Sequence, residues 1–100
     1  YKIQKIIELE KFTKIIEKKK IESIMELRAQ IYNYCSFNYN KTDIFKFIIE
    51  YYINSNVSNE KKKKIIEKSA HFEYLMCQSY REIIHLEAYL VNILNILIQE

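Results

Sequence analysis

One hundred residues with a formal net charge of +3, 49% of them hydrophobic and none of them glycine or proline, make a single small domain with enough apolar material for one core. Tight hairpins and the many turns of a β-sandwich or barrel rely on glycine at positive φ, so an all-β fold is excluded. What remains is an all-α fold, one compact domain of about five helices joined by Asn, Ser and Asp, which tolerate the left-handed region or cap helix starts.

The first helix is predicted from Ile3, Ile6, Ile7, Leu9, Phe12, Ile15 and Ile16, whose spacings of three and four spread over a broad face. Lys18, Lys19 and Lys20 suit the negative end of its dipole and mark a C-terminal turn or a near-continuous junction. Ile21, Ile24, Met25, Arg28, Ile31, Tyr32 and Cys35 then form a heptad-like seam broken only by the charge of Arg28, the strongest amphipathic pattern in the chain. Ser36 to Asn40 reads as a loop, with Asn40 or Thr42 as the cap before Asp43. The third helix, Thr42 to Ile53, is apolar or aromatic on almost every side, so it is either central or covered by a partner. After a second loop, Asn54 to Asn59, Ser58 caps a fourth helix that runs to about Gln78. Ser79-Tyr80-Arg81-Glu82 fits a capping box and divides the fourth helix from a fifth, whose core face is Ile83, Ile84, Leu90, Val91, Leu94, Leu97 and Ile98.

Composition tempers what single residues mean. There are 19 Ile to 7 Leu and 14 Lys to 2 Arg, and Ile, Lys, Asn and Tyr together make up half the chain. These types share A/T-rich codons, so a lysine run or an Ile in place of Leu is first a coding bias. The chain begins with Tyr1 instead of Met, and we expect it to be the C-terminal fragment of a longer polypeptide. Cys35 and Cys77 do not make a disulfide framework, and an intracellular, reducing compartment is expected. The most apolar stretch, Ile83 to Ile98, contains His85, Glu87, Asn92 and Asn95 and falls short of the ~20 residues a bilayer requires, so no membrane span is expected.

Few motifs carry chemistry. His71, Cys77 and His85 lack the close pairing of structural zinc ligands, and no metal site is expected. His85 and Glu87 lie on one helix, where successive side chains turn by about 100°, so they do not converge on one substrate. A glycine loop for phosphate is impossible without glycine, and no catalytic site is expected within these residues. Lys61 to Lys64 with Lys68, and Lys11, Lys14 and Lys18 to Lys20, form two basic groups that either grip nucleic-acid phosphate or are plain solvated faces. An unpaired charge in an apolar seam costs several kcal/mol, so Arg28 is predicted to form a buried ion pair with Glu87 or Glu73.

Three segments in order carry a family resemblance. Ile24-Met25-Glu26-Leu27-Arg28-Ala29-Gln30-Ile31-Tyr32, then His71-Phe72-Glu73-Tyr74, then Ile83-Ile84-His85-Leu86-Glu87-Ala88-Tyr89-Leu90 resemble the C-terminal collar domain of a eukaryotic replication factor C small subunit, most closely the subunit at the end of the clamp-loader arc. Ser79 departs from that pattern, where glycine is expected. The resemblance implies a collar-like helical bundle over residues 1–100 that is not itself an enzyme and that holds a pentameric loader together in the nucleus. ATP and Mg are implied in upstream ATPase modules, and the sliding clamp and primer-template DNA as partners of the whole complex. Phe45, Phe47, Tyr51, Tyr52 and Tyr89 are then the candidates for partner contact, with ordinary core as the alternative for each. A rival reading is a stand-alone basic helical module for nucleic acid, which requires the two lysine groups to converge on one face. A coiled-coil adaptor requires a longer seam than any seen.

Overall fold

Five α-helices account for most of residues 2–99, the part of the chain that this computed structural model describes, with Lys2 described through its backbone alone. They are α1 (Lys2–Glu17), α2 (Ser23–Ser36), α3 (Thr42–Ile53), α4 (Asn59–Cys77) and α5 (Glu82–Ile98). No strand occurs among the described residues. The radius of gyration is 12.7 Å, close to the roughly 13 Å of one folded domain of this length.

The breaks show how a chain without glycine turns. At the end of α1, Lys19 takes φ 52° and donates its N–H to the Ile16 carbonyl at 3.0 Å. Asn38 does the same after α2, with φ 61° and a 3.1 Å bond to the Cys35 carbonyl. Asn tolerates this left-handed conformation, whereas Lys has no side-chain compensation for it. The lysine-rich junction is therefore a true break and not a near-continuous helix. Asn40 prepares α3, its Oδ1 accepting from the Thr42 N–H at 3.0 Å and from the Thr42 hydroxyl at 2.8 Å. Ser58 caps α4 by accepting from the Lys61 N–H at 3.3 Å.

The fifth helix begins differently from its predicted form. Ser79 Oγ accepts from the N–H of Arg81, two residues on, at 3.0 Å, and Arg81 at φ −103°, ψ 62° stays outside the helix. Glu82 is thus the first helical residue and cannot reach back as the partner in a capping box. A serine turn makes the break instead.

α5 is the central element. Leu86, Tyr89, Leu90, Ile93, Leu94, Ile96 and Leu97 are buried, and the helix packs most extensively on α4 and also on α2. α3 packs on α4, and α1 on α2 and α3. Tyr89 lies in the middle, its ring 4.5 Å from that of Phe45 and 6.1 Å from that of Phe72. Ser69 commits its proton to the Ile65 carbonyl at 2.8 Å, so in the 2.6 Å contact between hydroxyls Tyr89 is the donor. Burial pushes the Tyr89 hydroxyl far above the ordinary tyrosine range, so it stays protonated and able to donate.

α2 faces inward along Ser23, Leu27, Gln30, Ile31 and Tyr34. Two of these are polar, and the reason for Gln30 is Glu8 of α1, a carboxylate only 1% exposed. It accepts from Gln30 Nε2 at 3.0 Å, Asn33 Nδ2 at 2.6 Å, Gln4 Nε2 at 2.7 Å and Lys11 Nζ at 2.9 Å. Burial by itself raises the carboxyl's pKa, but the bonds from Gln30, Lys11 and Gln4 and the Lys11 charge hold it below the usual carboxylate value.

Candidate subunit interface

Because the polar network draws Gln30 inward, with Ser23 on the same buried face, much of the apolar seam of α2 turns outward. Met25 is 66% exposed and Tyr32 55%, with Ile21 exposed in the turn before them; Ile24 and Cys35 are half-buried, and Ile31 stays in the core. From α5, Ile84 adds to the same face, as does Tyr80 from the turn before it. Two hollows lie side by side here, and Arg28, Ile84 and Glu87 line both. The first, about 380 Å³, runs between α2 and α5 over Ile24, Leu27, Ala88 and Val91. The second, about 620 Å³, is bounded by Tyr32, Lys41, Tyr80 and Glu82.

The Arg28–Glu87 pair stands between them, Nε to Oε1 at 3.3 Å, with Lys41 Nζ 3.7 Å from Glu82 Oε1 beside it. The Arg28 side chain is 52% exposed, so the buried pair predicted from the seam is corrected to a solvated one at a rim. As it stands, such a pair contributes ~1 kcal/mol or less. Glu73 is exposed on α4 and joins no ion pair among the described residues. Methionine, tyrosine and arginine around an apolar groove is the mixture enriched at protein–protein contacts, where a covering partner removes water from the charged pair.

The five aromatics proposed for partner contact do not form one surface. Phe45, Tyr52 and Tyr89 are buried in the core, a correction that follows from α3 packing its Ile44, Phe45, Ile48 and Tyr52 stripe inward. Phe47 is half-buried and Tyr51 exposed. Phe47 lines a hollow of about 310 Å³ with Ile6 and Leu9 of α1 and the Lys5–Asp43 ion pair. The Tyr51 hydroxyl donates to Glu17, which raises its pKa, and partial burial adds to the effect. Met25, Tyr32, Tyr80 and Ile84 were missed as surface residues. The available signal was the phase of Gln30, a polar position held inward by the buried Glu8.

Other chemistry is sparse. Lys5, Lys11, Lys18 and Lys41 pair with Asp43, Glu8, Glu26 and Glu82. Lys19 and Lys61 line one further hollow, so one lysine of each group borders the same space. Cys35 is half-buried with its thiol pushed up by burial, and Cys77 is exposed; neither is in a disulfide. Among the described residues no cluster of His, Cys, Asp or Glu is fit to hold a metal ion, and no helix is long and apolar enough to cross a membrane.

Two of the three segments behind the family resemblance thus lie against each other as α2 and α5, joined by Arg28 and Glu87. The sequence model of one family, described as replication factor C subunit 3, C-terminal domain, matches residues 4–100. The chain belongs to that family. No curated protein matches it. As a replication factor C C-terminal domain, it has the role of the C-terminal part of a clamp-loader subunit, and other clamp-loader subunits are its implied partners.

Proposed function

We propose that this domain is the non-catalytic collar of a replication factor C small subunit, most like the one at the end of the arc, and that its α2–α5 face docks the collar of a neighbouring subunit. Collars joined in this way hold a pentameric loader, which uses ATP and Mg in upstream ATPase modules to place the sliding clamp on primer-template DNA in the nucleus. The observation that supports this reading best is the exposed Met25, Tyr32 and Ile84 surface around the Arg28–Glu87 pair. A stable monomer gains nothing by presenting these groups together, whereas a partner collar buries them.

The test is co-purification with the other replication factor C subunits. Met25→Glu combined with Ile84→Glu keeps the helical circular dichroism of the parent and loses the partners. Retention of all partners by a folded double variant contradicts the docking face.

The second reading, a basic helical module for nucleic acid, is favoured by one observation, that Lys19 and Lys61 line the same hollow. Lys11 and Lys18 of the first lysine group are engaged by Glu8 and Glu26, which takes two of its charges away from a strand.

A further inference from the structure

We propose that the hollow where the α1–α2 turn meets the α3–α4 loop and the start of α4 binds a phosphoryl oxyanion. It measures about 650 Å³ and is lined by Glu17, Lys19, Tyr52, Asn56, Ser58 and Lys61. The site lies away from the α2–α5 face, so it stands or falls independently of the collar reading.

Three observations meet there. Lys19 and Lys61 come from separate lysine runs, and neither is in an ion pair among the described residues. The 19-residue helix α4 also opens at this point. Ser58 Oγ satisfies the Lys61 N–H, while the N–H groups of Asn59 and Glu60 have no bond among the described residues. The third observation makes this more than a helix end. Tyr52 is 3% exposed, and its hydroxyl is the one buried side-chain polar atom without a hydrogen-bond partner among the described residues.

A buried hydroxyl with nothing to bond is a standing penalty unless something fills the place beside it. Here the lining brings two ammonium ions and a phenol that remains protonated, with the Asn56 side-chain amide beside them. Glu17 is the sole carboxylate in the lining and already accepts from Tyr51. Donors converging from three segments suit an anion with several acceptor oxygens, and a phosphoryl group has three where a carboxylate has two. Val57 and Leu97 supply an apolar wall for whatever carries the phosphate. That carrier is either a small phosphate ester or the backbone of a nucleic-acid strand.

The experiment follows the backbone amide resonances of the chain at fixed ionic strength, with inorganic phosphate, pyrophosphate and a short DNA duplex as probes and chloride as the control. The amides of Asn59, Glu60 and Lys61 shift and saturate with a phosphate probe and stay still with chloride. Tyr52→Phe keeps the thermal midpoint or raises it, because the unpartnered hydroxyl is gone, and weakens the probe by about threefold or more. Lys19→Gln with Lys61→Gln weakens it by about tenfold. Pyrophosphate saturating these amides while the duplex leaves them unmoved identifies a small phosphate ester. The duplex saturating them at lower concentration, with the same sensitivity to Tyr52→Phe, identifies a strand backbone. No saturable shift with any of the three probes, or an affinity unchanged in Tyr52→Phe, overturns the site.

Discussion

Helices α2 and α3 carry similar apolar material and present it in opposite directions. α3 turns Ile44, Phe45, Ile48 and Tyr52 into the core and leaves Phe47 half-buried and Tyr51 at the surface. α2 buries Leu27, Ile31 and Tyr34 but gives two inward positions to Ser23 and Gln30, and so exposes Met25 and Tyr32. The difference comes from their neighbours. α3 meets the aromatic and aliphatic side of α4 and α5, where only apolar groups are at ease, and Phe45 packs on Tyr89. α2 meets α1 at a buried carboxylate, which rewards amides over methyl groups. A helix apolar on nearly every side is therefore core here, and a helix with a cleaner stripe is the one that keeps apolar groups free for a partner.

Substitutions on each side of this contrast either break it or sharpen it. The largest effect belongs to Phe45→Ala, expected to lower stability by about 3–5 kcal/mol in urea denaturation because it empties a filled site against Tyr89. A loss under 1 kcal/mol would mean that α3 faces outward after all. Next is Glu8→Gln, expected to remove about 1.5–3 kcal/mol by replacing a charged acceptor with an amide that duplicates its donors. The folded carboxyl titrates below its ordinary value of 4.5, so its contribution is complete above that pH and is lost as pH falls through the lower folded value. Acid unfolding of the Gln variant should lack that part of the slope; an identical acid profile would mean that Glu8 does not organise the α1–α2 contact.

Smaller effects sharpen the picture. Lys19→Gly is expected to raise stability by about 0.5–1 kcal/mol in the same denaturation experiment, since glycine enters the left-handed region without the Cβ penalty. A decrease would show that Lys19 gains more from its side chain than it loses at its backbone. The smallest change is for Met25→Glu, expected within about 0.5 kcal/mol of the parent, because the residue touches mainly solvent in the free domain. A loss as large as that of a core position would put Met25 inside.

Much of the fold was legible from the sequence. Thr42 to Ile53 is α3 to the residue, Ser58 caps α4, and the break before α5 falls at Ser79. These features are local, set by cap chemistry and period. The orientation of each helix was not legible, since it depends on what lies across from it. Gln30 looks like a surface residue until Glu8 is placed beside it from 22 positions away. For the same reason Phe45, Tyr52 and Tyr89 could not be told apart from a docking patch by residue type alone. Arg28 and Glu87 could be paired from their seam positions, but their exposure could not, because the groove that admits water to them is shaped by two helices.

The docking face is tested most directly by oxidative footprinting of the domain alone and within a reconstituted replication factor C assembly. Met25 and Tyr32 react readily in the free domain, in keeping with 66% and 55% exposure, and become protected on assembly while Tyr74 on α4, 63% exposed, stays reactive. Equal reactivity of Met25 and Tyr32 in the free and assembled states would contradict the assignment of the α2–α5 face to the subunit contact.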